Sequence, residues 1–166
     1  MSAQILTRFG PFSAGLLVAL LILGPEPGLA MSSDDEDGAK KASSAAPITA
    51  AREHVRDKAW TKAIEKLEQA LADDQFNPET LNLLGFSHRQ LAQFDEALTY
   101  YQRALKVDPQ HLGANEYLGE LYLKTGRLDD AIARLQVLDD ACFLPCKEYA
   151  ELKDSIEKYK ARKGVK

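Results

Sequence analysis

Cysteine is scarce in this sequence: of 166 residues, two are cysteines, Cys142 and Cys146. Their spacing matches neither the Cys-x-x-Cys of thioredoxin-like proteins nor the Cys-x-x-Cys-His of haem attachment. Charge of one sign is scarce too. The formal net charge is −4, with acids and bases well mixed along the chain, which argues against nucleic acid as a partner. The apolar run from Phe12 to Leu23 falls well short of the roughly 20 residues that span a bilayer. Catalytic motifs are missing: there is no Gly-x-Ser-x-Gly, no phosphate-cradling loop and no His-Glu-x-x-His. No nucleophile, base and orienting acid can be assembled, so the chain reads as a non-enzyme without a cofactor.

What is present begins with a targeting segment, 1–30, read as a signal peptide. Arg8 gives a short positive start, and Phe12 to Leu23 the apolar core. Gly24-Pro25-Glu26-Pro27 breaks any helix, and Gly28-Leu29-Ala30 places small residues where signal peptidase needs them. The alternative is an uncleaved anchor. The expected product is exported, periplasmic or secreted, starts near Met31, and has no stable membrane insertion of its mature domain. Residues 31–47 hold almost nothing large and apolar. The expectation there is a disordered acidic, Ser- and Ala-rich linker.

The organising stretch is Pro78 to Pro109. Leu81, Leu84, Gly85, His88 and Leu91 recur at helical spacing, and so do Ala97, Leu98, Tyr101, Ala104 and Leu105. Between the runs lie only Ala92 to Asp95, so the two helices must fold back antiparallel. The pattern returns 34 residues later: Gly85 maps to Gly119, Leu84 to Leu118, Ala97 to Ala131, and Tyr101 to Leu135. It also runs backwards, to Ala51, Ala63, Leu67 and Ala70.

A period of 34 with this content resembles the tetratricopeptide repeat family, on Leu84-Gly85, Ala97, Tyr101, Ala104 and Pro109, then Leu118-Gly119, Tyr122, Gly126 and Ala131. The resemblance implies an all-α, right-handed solenoid of three helix pairs, with repeats at about 44–77, 78–111 and 112–145. A last helix, about 145–163, carries one apolar stripe, Tyr149, Leu152, Ile156 and Tyr159. It reads as the cover that a terminal repeat needs, which completes a domain over 48–163. Trp60 occupies the turn position of Phe94 and Leu128 and reads as a turn plug.

The cysteines flank Pro145, which turns the chain. In an exported protein such a pair is expected to be bridged. The rival is a redox or metal-handling site on Cys142 and Cys146. His54 and His88 stand one period apart. Neighbouring repeats lie about 10 Å apart, too far for shared ligation at about 2 Å, so these histidines read as packing residues.

The family's habit implies binding, with the first helix of each pair lining a concave groove. The residues placed there are Arg52, Arg56, Asn82, Phe86, Arg89, Gln90, Glu116, Glu120 and Lys124. The carboxylate clamp of some family members is not reproduced. The groove reads as basic toward the first repeat and acidic toward the third, with Phe86 as apolar anchor and the arginines awaiting an acidic ligand. The functional expectation is an adaptor or assembly factor of the cell envelope, binding a peptide or partner protein, including as a subunit of an envelope complex. Self-association into a larger scaffold is the alternative.

Overall fold

The computed structural model describes residues 35–144 and 146–164. The expected signal peptide and Pro145 lie outside the described residues. Within them are seven α-helices: α1 (Asp35–Arg56), α2 (Trp60–Asp73), α3 (Pro78–Gln90), α4 (Phe94–Val107), α5 (Leu112–Lys124), α6 (Leu128–Ala141) and α7 (Lys147–Lys163). They form three antiparallel pairs, α1/α2, α3/α4 and α5/α6, with α7 packed on both α5 and α6.

Local chemistry sets the helix boundaries. Asn77 caps α3, its side chain accepting from the Thr80 N–H at 2.9 Å, and Pro78 takes the first helical position. His111 caps α5 in the same way, its Nδ1 accepting from the Ala114 N–H at 3.2 Å. Each pair turns through a left-handed residue: Lys58 (φ 57°), Ala92 (φ 59°) and Gly126 (φ 81°). These positions lie one period apart, and only the third turn uses the residue that adopts this conformation without strain.

The linker expected over 31–47 is corrected from Asp35 onward, because α1 is helical from there. Ala39, Ala42, Ala45 and Ala46, with Lys40 and Lys41, are strong helix formers. Once the downstream turns are held by packing at Ala51, which is fully buried, upstream propagation adds one bond per residue fixed.

The core follows the repeat. Ala63, Leu67, Ala70, Leu84, Ala97, Tyr101, Ala104, Ala131 and Leu138 are all fully buried. Small residues permit close approach, as intended by the pattern. A Cβ on Gly85 would lie 2.7 Å from the Tyr101 ring. The matching glycine, Gly119, instead meets α7, where a Cβ would lie 2.6 Å from Leu152. Leu152, Ile156 and Tyr159 are buried and Tyr149 packs beside them, so α7 covers the last repeat with the stripe read from the sequence.

Cys142 and Cys146 form a disulfide, with their Cα atoms 5.9 Å apart. It closes the turn between α6 and α7. A loop this short gains about 2 kcal/mol from the restricted unfolded chain. Phe143 and Leu144, inside that loop, are exposed. The histidine reading as packing is met at His88, which stacks on Tyr100 of α4 at 5.2 Å and bonds Gln93 through Nδ1 at 2.7 Å.

Candidate functional site

The first helices of the pairs share one face, and aromatic rings run across it. Trp60 meets Phe86 edge-on at 5.7 Å, and Phe86 meets Tyr117 at 4.8 Å. Trp60 is thus more than a turn plug: it begins the ladder at the first repeat. Phe86 was expected to stand free as an anchor. That is corrected, since it is half-buried between two rings with the Arg89 guanidinium 5.4 Å from its centre.

The arginines are committed as well. Arg52 of α1 pairs with Glu79 of α3 at 2.8 Å, and Arg89 of α3 pairs with Glu120 of α5. Arg89 is buried and lies 5.3 Å from the Tyr117 ring centre. Burial opposes its charge, yet Tyr101, Glu120 and Glu116 hold its pKa above the ordinary value. The expectation of three guanidiniums, Arg52, Arg56 and Arg89, awaiting ligand carboxylates is therefore corrected for Arg52 and Arg89, which have carboxylates of this chain. Arg56 remains exposed, 4.0 Å from Asp57.

Two hollows flank the ladder. One, of about 460 Å³, opens between the N-terminal ends of α3, α5 and α7. Glu79, Asp108, Glu116 and Glu148 line it, with Asn82 and Tyr117. The other, of about 370 Å³, opens toward the C-terminal ends of the same helices. Lys124, Lys158 and Arg162 line it, with Gln90 and the Arg89–Glu120 pair. The expected gradient, basic at the first repeat and acidic at the third, is corrected in its direction. Charge is sorted along the helix axes instead. Because α3, α5 and α7 run parallel, residues of equal depth line up across the repeats.

Electrostatics single out Glu116. It is 5% exposed, and burial, with Glu120, Glu151 and Glu148 against the lone help of Arg89, pushes its pKa to about 8. Its neighbour Asn82 is equally buried, and Asn82 Oδ1 has no hydrogen-bond donor among the described residues. Across the hollow, burial would raise Glu79, but a bond from His111 and the charge of Arg52 hold its pKa below the usual carboxylate range. Burial and Glu116 push the Tyr117 phenol to about 12.

Of the residues singled out from the sequence, Asn82 and Glu116 line the first hollow, Arg89, Gln90, Glu120 and Lys124 line the second, Phe86 lies in the ladder, and Arg52 and Arg56 stand on α1. The sequence reading missed Tyr117 and the contributions of α7, namely Glu148, Lys158 and Arg162. Their signal was present in α7 as charges beside the apolar stripe, but a helix read only as an end cover offers no reason to place them on the groove.

Among the described residues no group of three His, Cys, Asp or Glu side chains could hold a metal ion. No described helix is long and apolar enough to cross a membrane.

The family model described as Tetratricopeptide repeat matches residues 82–142. A curated relative, the uncharacterized protein ycf37 of Guillardia theta, is 43% identical over 47 residues, 28% of this chain and 26% of that protein. The match thus spans about a quarter of that relative's length. The first tetratricopeptide domain of Spaghetti (RPAP3), solved with the HSP90 peptide SRMEEVD, has a TM-score of 0.66 at 12% identity, covering 75% of this chain and 95% of that one. The type III secretion chaperone SycD of Yersinia enterocolitica, solved with a peptide of the translocator YopD, has a TM-score of 0.61 at 17% identity, covering 76% and 95%. At these identities the structural likenesses establish the fold, three helix pairs closed by a further helix. Together they show a tetratricopeptide-repeat fold, with the repeat sequence itself matched over residues 82–142.

Proposed function

We propose that this chain is a non-enzymatic interaction module that holds a segment of a partner protein across the face of α3 and α5. The observation that carries this reading is the pair of oppositely charged hollows on either side of the Phe86–Tyr117 ladder. Opposite charge at the two ends gives a bound segment a direction, and aromatic area between them supplies apolar contact. The peptide complexes of RPAP3 and SycD support the same use of a similar fold. The signal-peptide pattern of residues 1–30 adds the compartment: the module works in the cell envelope, as an adaptor, an assembly factor or a subunit of an envelope complex. The disulfide Cys142–Cys146 suits that oxidising setting and serves as a staple rather than a redox centre.

Site-directed photocrosslinking in the source cells tests this. A photoreactive residue at Gln90 or Lys124, both exposed on the groove, should capture one partner. The same residue at Glu68 or Arg103, exposed on α2 and α4, should not. Capture from the outer positions alone would refute the groove as the interaction surface.

A further inference from the structure

The hollow at the N-terminal ends of α3, α5 and α7 has a chemistry of its own. Its polar lining is dominated by groups that accept hydrogen bonds. Among the described residues Glu116 has no ion pair within 4 Å, although nine-tenths of it is buried. Asn82 Oδ1 is enclosed without a donor among the described residues. Glu148 and Asp108 stand at the rim. The rim cation Lys147 reaches toward Glu151, 3.5 Å away, and His111 is held on Glu79 at 3.4 Å. Tyr117 forms an aromatic wall. A buried acceptor set without its donor is costly, and a charged donor relieves it best.

The chain already contains a small copy of the missing arrangement. Farther along the same groove, Arg89 lies against the rings of Phe86 and Tyr117 and pairs with Glu120. In the hollow Glu116 takes the role of Glu120, but among the described residues no cation is paired with it.

We infer that this hollow receives an arginine or lysine side chain of the partner segment, seated against Glu116 and Glu148 with Asn82 Oδ1 accepting a further bond. The inference rests on the groove reading given above and names the chemistry of its ligand. The cation is organic, since the described residues bring no three metal ligands together. It also reverses the ligand expected from the sequence, where arginines were to meet acidic side chains.

Seating a cation requires Glu116 to be ionised. The groups around it are Arg89 and Glu79 from α3, Glu120 and Tyr117 on its own helix, Asp108 and His111 ahead of it, and Glu148, Glu151 and Lys147 from α7. Arg89 is already shared with Glu120, so the added charge would be the partner's. Binding therefore releases a proton from Glu116 and strengthens as pH rises from 6 toward 9.

The test uses the full chain and a minimal probe, acetyl-arginine amide, titrated by amide NMR against acetyl-citrulline amide, which has nearly the same shape without charge. The expected result is a shift centred on Asn82, Glu116 and Tyr117 with arginine, at least five-fold weaker with citrulline, and stronger at pH 8.5 than at pH 6. Glu116→Gln should abolish the preference. Glu148→Gln, farther out, should reduce it with the fold intact, which keeps the test valid if the first variant misfolds. Equal binding of the two probes, or shifts confined to Lys124 and Lys158, would overturn the inference. If that happens while crosslinking from Gln90 still captures a partner, the ligand chemistry is wrong and the groove reading stands. If neither probe nor partner is held there, both fall.

Discussion

Arg89 of α3 and Glu120 of α5 form an ion pair that joins the second repeat to the third, with the guanidinium almost completely enclosed. Glu120 also accepts from Ser155 of α7 at 3.4 Å, so one carboxylate links three helices. Removing one partner of a buried pair leaves the other charge desolvated and alone. Arg89→Ala should therefore lower stability by about 3 kcal/mol in urea unfolding. An effect below about 0.5 kcal/mol, as for an exposed pair, would mean that Arg89 is a surface residue free for ligands.

Glu116 gives stability a pH signature. Its pKa in the folded protein, about 8, lies above the ordinary 4.5. Between those values the folded state binds the proton more strongly than the unfolded state. Stability from this group is thus full below about pH 4.5 and declines as pH rises through about 8. Glu116→Gln, which keeps the neutral shape, should raise the melting temperature at pH 9 and change it little at pH 4.5. A gain of equal size at both pH values would contradict the assignment.

The two core glycines should differ in their tolerance. An added methyl at Gly85 meets the rigid, fully buried Tyr101 ring, whereas at Gly119 it meets the end of the Leu152 side chain, which can rotate. Gly85→Ala should cost roughly 1–3 kcal/mol, as overpacking does, and Gly119→Ala less. Thermal melts of the two variants would check the order.

Deleting residues 147–166 removes α7. Leu152, Ile156 and Tyr159 are its buried residues, and large apolar side chains are worth about 1.5–3 kcal/mol each when buried. The truncated chain should lose its cooperative melt or aggregate. A soluble truncation that melts as sharply as the full chain would show that α7 is dispensable.

Much of the fold was legible because it is written in one period. The small residues Ala63, Ala97 and Ala131 recur with spacing 34 and are all fully buried, so helix pairing follows from their positions alone. Even the strained turns obey it, although nothing in Lys58 or Ala92 announces a positive φ. The site was legible only as a set of residues. Whether Arg89 is free or bound depends on where Glu120, 31 residues on, comes to rest. That is a property of how repeats stack, not of either residue's own repeat. The direction of the charge gradient was lost for the same reason: sequence order counts repeats, while α3, α5 and α7 align their ends. The helical start at Asp35 was missed because a polar, alanine-rich stretch satisfies the composition of a linker and the propensity of a helix at once.

The central claim is that the groove, and not another surface, holds the partner. Its most direct test is amide chemical-shift mapping of the full chain, titrated with a synthetic peptide spanning the segment of the partner crosslinked to Gln90. The account predicts shifts at Asn82, Gln90, Glu116, Tyr117 and Lys124, running from the acidic hollow to the basic one, with α2 and α4 silent on their outer faces. Shifts confined to the exposed Phe143–Leu144 loop, or to the outer faces of α2 and α4, would contradict it.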